Sequence, residues 1–545
     1  MALLPENPDI NQLKRQAKEL LAAARAAEPE ALSRFAAALP ALKGQIPDAR
    51  AVAALRLHDA QSCIAREYGF ASWAALRSHV EVVRLRASDP AAQRRAFALR
   101  AYPGDIIGDM NKARPADAAR IHNALPGLID DEPALAPAIG ATEEVRRQIA
   151  RDAGWVHLPG GPLHLPPLVA ATHSSLVTLP EYRAAIHETV DLLLAAGADP
   201  NQSVGSRWPP ASVAAPSEEH RISALYGAAG QHHDAELTAK LLAAGADPND
   251  GESLYHSLEG PDPACTRLLL EAGATVAGTN AIYHALDYDD LDRVKLLLAY
   301  AGDVSGEGKL LHWAIRRRRS AAHIAALLDV GVDPRATADD GTSAYVSALR
   351  YGLPEIADLL QRAGAQIDLS PEDAFVAACA RGDTDTGRRL LQETPDLIDR
   401  LNEKQLRMLP ELAAAGCTEA VRAMVELGWP ISVRGGDWKA GALNHSVFQG
   451  NAALTAFLLA HGAVWTEEHA FNDNASGTLS WASINTPVPE GDWLACAEVL
   501  VAHGMPGAVP NPSDPETVLV DGVTRVYSDE VTAYLLSVGE PAPAA

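Results

Sequence analysis

Residues 192–201, L-L-L-A-A-G-A-D-P-N, and residues 241–249, L-L-A-A-G-A-D-P-N, are two copies of one phrase, and how they are read decides the fold. Leucines followed by Ala-Ala-Gly describe the last turns of a helix closed by a residue able to enter the left-handed region. The Asp-Pro-Asn that follows turns the chain away, since proline cannot continue a helix and Asp and Asn bond local backbone. Looser copies stand at residues 268–276, 327–334, 359–368 and 458–464. Reuse of one unit predicts a solenoid, in which each unit becomes stable by burying its apolar flanks against its neighbours.

The tail glycines are Gly197, Gly245, Gly273, Gly302, Gly331, Gly364, Gly428, Gly462 and Gly504. They are separated by 48, 28, 29, 29, 33, 64, 34 and 42 residues, and the gap of 64 holds two units. Within a unit, Leu254 and Leu258 share one face of a short first helix, and Ala264, Leu268 and Leu269 stripe a second. Gly352, Gly382, Gly416 and Gly450 fall at one common offset, the turn between the two helices. The three units from Gly245 to Gly331 are short between tail and next helix, so their projecting loops are expected to be stubs.

A period near 33 residues with this frame resembles the ankyrin repeat from about residue 166 to residue 538. The resemblance implies an all-α fold, an α-solenoid of stacked helix-turn-helix repeats with short hairpin loops. Ankyrin repeats usually open their first helix with T-P-L-H-x-A, the histidine tying neighbouring turns together. Here that column reads Tyr226, Tyr255, Tyr283, Val346, Val376 and Asn444, which leaves the inter-repeat hydrogen bonding to be found elsewhere.

Three segments are expected: an N-terminal helical module at residues 1–90, degenerate repeats or a connector at 91–165, and the array at 166–540. The array carries insertions near 202–220, which contains Trp208, and near 484–492. The string at residues 59–81, D-A-Q-S-C-I-A-R-E-Y-G-F-A-S-W-A-A-L-R-S-H-V-E, resembles a helical module that precedes ankyrin repeats in many bacterial proteins. Tyr68, Phe70 and Trp73 are expected to form a small core around its glycine turn. Arginine exceeds lysine 37 to 9 and alanine is abundant, which also fits a GC-rich bacterial genome.

The chain has 545 residues and a net charge of -24, unevenly spread. Residues 1–100 hold 15 Lys and Arg against 10 Asp and Glu (+5), and the remainder holds 31 against 60 (-29). Nucleic acid is not an expected partner, because binding a polyanion relies on cations that displace counterions. Five scattered cysteines without a C-x-x-C pair argue against a disulfide framework, and no apolar run is long enough for a membrane span. A cytoplasmic protein with no membrane contact is expected.

Phosphate-binding, zinc-protease and hydrolase signatures are missing, so no catalytic residue, metal ligand or cofactor is assigned. The expected activity is that of a non-enzymatic scaffold recognising a protein or peptide on its concave face. Ends of first helices place Glu259, Asp287, Tyr288, Arg350, Tyr351, Phe448 and Gln449 on that face, with Trp208 on the first insertion. The alternative is a metal-dependent enzyme or small-ligand receptor using a His/Asp-lined groove near residues 232–312, where His256 and His284 share a column. The run Arg316, Arg317, Arg318 and Arg319 closes a first helix, and Asp287, Asp289, Asp290 and Asp292 precede a second. Helix-dipole complementation accounts for both, and the alternative for the basic run is a contact for an acidic peptide or phosphate. Self-association is a further possibility, through the positive N-terminal segment and the acidic array of another copy.

Overall fold

A computed structural model describes residues 3–5, 8–42, 44–109, 112–512 and 517–539. The expected end of the array, residue 540, lies outside them. The chain forms two compact units, one of Met1–Asn11 with Tyr68–Gly302, the other of Gln12–Glu67 with Asp303–Ala545. The segment read from sequence as one N-terminal module is thus shared between the two.

In the second unit, paired helices follow one another: Lys309–Arg316 with Ala321–Asp329, Ala344–Arg350 with Pro354–Arg362, and Pro371–Ala380 with Thr384–Glu393. Met408–Ala414 then pairs with Thr418–Glu426, Ala442–Phe448 with Ala452–Ala460, and Ala475–Asn485 with Trp493–Ala502. Each first helix packs on the first helix of the next pair, so the apolar flanks of one hairpin are covered by its neighbour. A continuous core results, including Phe375, Leu409, Val421, Leu443, Leu454, Leu479 and Leu500. The first unit stacks in the same manner through Ala224–Tyr226, Ser253–Ser257 and Ala281–Ala285 on one side and Ala235–Ala243 and Ala264–Glu271 on the other. The fold is an all-α solenoid of helical hairpins.

All nine tail glycines have positive φ, from 71° to 99°. Their repeats are tied by a residue outside the usual histidine column. Asn201 Nδ2 donates to Gly245 O (3.3 Å) and Asn201 Oδ1 accepts from Asp247 N (2.8 Å). One repeat later, Asn249 does the same with Gly273 O (3.3 Å) and Thr275 N (2.8 Å). Asp199 and Asp247 each accept from the backbone two residues on, which holds the asparagine in place. Asn444, in the histidine column, also bridges repeats through Glu467 O (3.1 Å) and Thr478 Oγ1 (2.9 Å).

The loops that lead into the first helices differ in length as the spacing implies. Ser253–Ser257, Ala281–Ala285 and Lys309–Arg316 begin seven or eight residues after their tail glycines, whereas Ala344–Arg350 begins thirteen after Gly331. Short β-pairs form where chain is spare: Ser203–Gly205 with Arg221–Ser223, and Arg434–Gly435 with Ala440–Gly441.

The helix Ile10–Arg25 from Gln12 onward, with Pro29–Ala38 and Leu57–Glu67, belongs to the second unit, where Leu57–Glu67 packs on the helix Asp529–Gly539. Gln61 Nε2 donates to Asp529 Oδ2 (2.8 Å), and the His58 ring meets Glu530 Oε1 at 2.6 Å. The aromatics expected to form a core around Gly69 are not among the buried side chains. Tyr68, Phe70 and Trp73 are only half-buried, while Leu76, Val80 and Val82 on the helix Trp73–Arg86 are buried. The turn itself leaves its aromatics at the margin.

Candidate functional site

In the second unit, the ends of the first helices carry an open aromatic face. Phe448 ends the helix Ala442–Phe448, and its ring stacks on Trp481 of the next first helix, centroids 5.5 Å apart and planes 9° apart. The hairpin between Arg434–Gly435 and Ala440–Gly441 projects Trp438 over the same place, 5.7 Å from Phe448, 4.8 Å from His445 and 4.9 Å from His469. Trp481 is 45% exposed and Phe471, which meets His469 at 5.9 Å, is 74% exposed. Aromatic rings packed on each other yet open to solvent are held in position before any partner arrives.

Beside this face lies a charged network. Arg316 contacts Glu411 at 3.1 Å and Asp437 at 2.8 Å, and Arg317 reaches the other oxygen of Asp437 at 2.9 Å. The Arg317 guanidinium also covers the Trp313 ring at 4.7 Å. Burial works against ionisation of Asp437, but Arg317 and Arg316 outweigh it and hold its carboxyl below the usual range. The basic run is therefore engaged with neighbouring repeats, in addition to any effect on its own helix end.

In the first unit the corresponding helix ends carry histidines, tyrosines and acids. His284 stacks flat on Tyr255, at 3.7 Å and 10°, and Tyr288 meets the His284 ring edge-on at 5.3 Å. Glu259 Oε1 lies between the two column histidines, 2.9 Å from His256 Nδ1 and 3.2 Å from His284 Nε2. Burial opposes the charge on His256, yet its bonds to Glu252 and Glu259 prevail and raise its pKa to about 9. Burial likewise opposes the Glu259 charge, and the two histidines overcome it, bringing that carboxyl to about 2. The space considered for a metal is filled by this carboxylate. Among the described residues, no three His, Cys, Asp or Glu side chains are grouped to hold a metal ion. In the acidic run, Asp290 caps the helix Leu291–Tyr300 by accepting from Arg293 N at 3.0 Å.

The remaining sequence-assigned positions have varied surroundings. Asp287 is half-buried with its carboxylate 3.4 Å from His284 Nδ1, and Tyr288 is 38% exposed. Gln449 is partly covered and donates to Ala413 O (3.2 Å) and Ala414 O (2.7 Å). Tyr351 packs against the core and its hydroxyl lies 3.4 Å from Glu411. Arg350 is not an open groove residue: it is buried, with Nε 2.7 Å from Asp373 Oδ1. A sequence frame gives the helix end but not which side chains a neighbouring repeat covers.

Trp208 is 47% exposed, on an insertion that is anchored rather than loose. Its neighbour Arg207 is buried and donates to Ile106 O (2.8 Å) and Leu163 O (2.7 Å), while Arg207 N donates to Asp105 O (2.8 Å). The Trp208 ring packs over Gly104, where an added Cβ would lie 3.0 Å from Cζ3. The sequence reading missed Trp438, Trp481 and Phe471. Local aromatic density was the available signal, since five of the nine tryptophans fall in residues 429–493.

No protein-family model matches the chain, and no curated protein does. Two solved structures are similar to it in part. The human ASB11 ankyrin repeat domain matches at 18% identity and a TM-score of 0.21, over 42% of this chain and 99% of its own. The ankyrin repeat domain of Bcl-3, a member of the IkappaB protein family, matches at 18% identity and a TM-score of 0.22, over 48% of this chain and 99% of its own. Likeness at this level carries nothing about a partner. Among the described residues, no helix is long and apolar enough to cross a membrane.

Proposed function

We propose that the chain is a non-enzymatic scaffold that binds a protein or peptide along the ends of its first helices, with Trp438, Phe448 and Trp481 as the principal contact. The observation that carries this reading is the Phe448–Trp481 stack, fixed at 5.5 Å while Trp481 stays 45% exposed. Rings already ordered lose little freedom on contact and bury large apolar area, the combination found at interface hot spots. Tyr288 and Trp208 offer smaller aromatic contacts in the first unit.

The test is capture of partners from the native cell with the full-length protein and with the Phe448→Ala/Trp481→Ala variant. A specific partner should be lost by at least tenfold, with the thermal transition moved by only a few degrees. Retention of every captured protein by the variant would exclude this surface. The metal-dependent alternative has weaker support, because Glu259 occupies the gap between His256 and His284. Stoichiometric zinc or iron in untagged protein would restore it.

A further inference from the structure

A cleft of about 500 Å³ opens in the second unit between the turn at residues 340–343 and the start of the short helix Glu403–Leu406. Its floor is built from buried charge. Arg350 and Asp373, both 8% exposed, are joined at 2.7 Å, and Asp373 also accepts from Gln405 Nε2 (2.7 Å) and Ser370 Oγ (2.9 Å). These groups are saturated and neutral as a set, so they shape the cleft and hold its walls at a fixed separation.

The rim behaves differently. Lys404 Nζ sits 3.0 Å from Asp340 Oδ2, an ammonium from one wall resting on a carboxylate of the other. Burial opposes the Asp340 charge, but Lys404 and the Thr342 backbone bring its carboxyl to about 2. The cleft thus already accommodates a cation supplied by the chain itself. Once Arg350 is matched with Asp373 and Lys404 with Asp340, two lining carboxylates remain. Asp368 makes no hydrogen bond or ion pair among the described residues, and Glu403, on a side chain 78% exposed, is shared only with Arg407 on the helix surface at 2.5 Å. The exposed amide of Gln366, also in the lining, has no partner among the described residues and offers both a donor and an acceptor.

We propose that this cleft takes an arginine side chain from the partner peptide. A guanidinium matches carboxylates by paired, charge-assisted hydrogen bonds, and a cleft of this volume holds such a side chain with a short stretch of backbone. The Gln366 amide favours a peptide over a simple polyamine, because a peptide backbone presents the complementary donor and acceptor. The proposal rests on the scaffold reading above and adds to it the chemistry of the partner.

The probe is N-acetyl-tetraarginine amide, titrated into the full chain by calorimetry, with tetraglutamate amide and spermidine as comparisons. Asp368→Asn/Glu403→Gln should weaken tetraarginine binding at least fivefold, and Lys404→Ala should tighten it about threefold by freeing Asp340. Asp385→Asn/Glu426→Gln, which neutralises two exposed acids outside the cleft, should change nothing; circular dichroism melts verify that each variant is folded. Equal loss in that control variant would show general attraction to an acidic chain and overturn the proposal. Absence of tetraarginine binding, or equal binding of tetraglutamate, would do the same. Spermidine binding as tightly with the same dependence on Asp368 and Glu403 would overturn the peptide assignment. The scaffold reading fails separately, through the Phe448→Ala/Trp481→Ala capture.

Discussion

Asn201 and Asn249 show how single polar side chains register one repeat on the next. Each uses its amide donor and acceptor on two backbone groups of the following tail. Removing them at Asn249 with Asn249→Ala should cost about 1–2 kcal/mol, a net value for exposed bonds of this kind. Urea unfolding would show it as a lower midpoint with an unchanged slope. His256 makes a pH-dependent contribution of known sign. Its folded pKa of about 9 lies above its ordinary 6.5, so the stabilisation is complete below pH 6.5 and is lost as pH rises through 9. A loss of about 2 kcal/mol is expected between pH 6.5 and 9.5, after allowance for solvent screening. The difference in stability between wild type and His256→Gln should shrink over that interval.

At the scale of the hairpin, the glycine between paired helices has a second duty beside its conformation. Gly450 has φ of 65°, and a Cβ there would lie 2.5 Å from Gly491 Cα of the loop that closes the next hairpin. Gly450→Ala should therefore cost about 2–4 kcal/mol, through a left-handed residue and a backbone clash together. Gly462, also left-handed at 99°, meets nothing within 4 Å of its added Cβ. Gly462→Ala should cost about 1 kcal/mol, the conformational part alone. Thermal melts of the two variants separate strain from crowding. Both glycines were legible in the sequence by their recurrence. Their unequal surroundings were not, because Gly450 meets a loop that begins some forty residues later.

At the scale of the second unit, the helix Leu57–Glu67 packs on the helix Asp529–Gly539 through Gln61 and His58. Apolar flanks in a solenoid are stabilised by the element packed on them, and here that element comes from the N-terminal part of the chain. Asp529→Ala/Glu530→Ala should reduce hydrogen-exchange protection in residues 57–67 as well as in residues 529–539. Unchanged exchange in residues 57–67 would mean that the two helices do not stabilise each other. The sequence assigned the positive N-terminal segment a possible acidic docking site on another copy. Within the chain, the segment meets Asp529 and Glu530 through Gln61 and His58.

The sequence by itself determined the hairpin frame, because helix, cap and turn are set by residues within about thirty positions of each other. Leucine spacing, the nine left-handed tail glycines and the stub loops were all readable on that basis. Only tertiary structure decided which polar and aromatic groups meet. Arg350 with Asp373, Glu259 between two histidines, and Phe448 against Trp481 each join separate repeats, and a pattern of residue types does not specify how neighbouring helix ends are turned toward one another. Stacking fixes that rotation, and with it which side chains are buried as structure and which remain open to a partner.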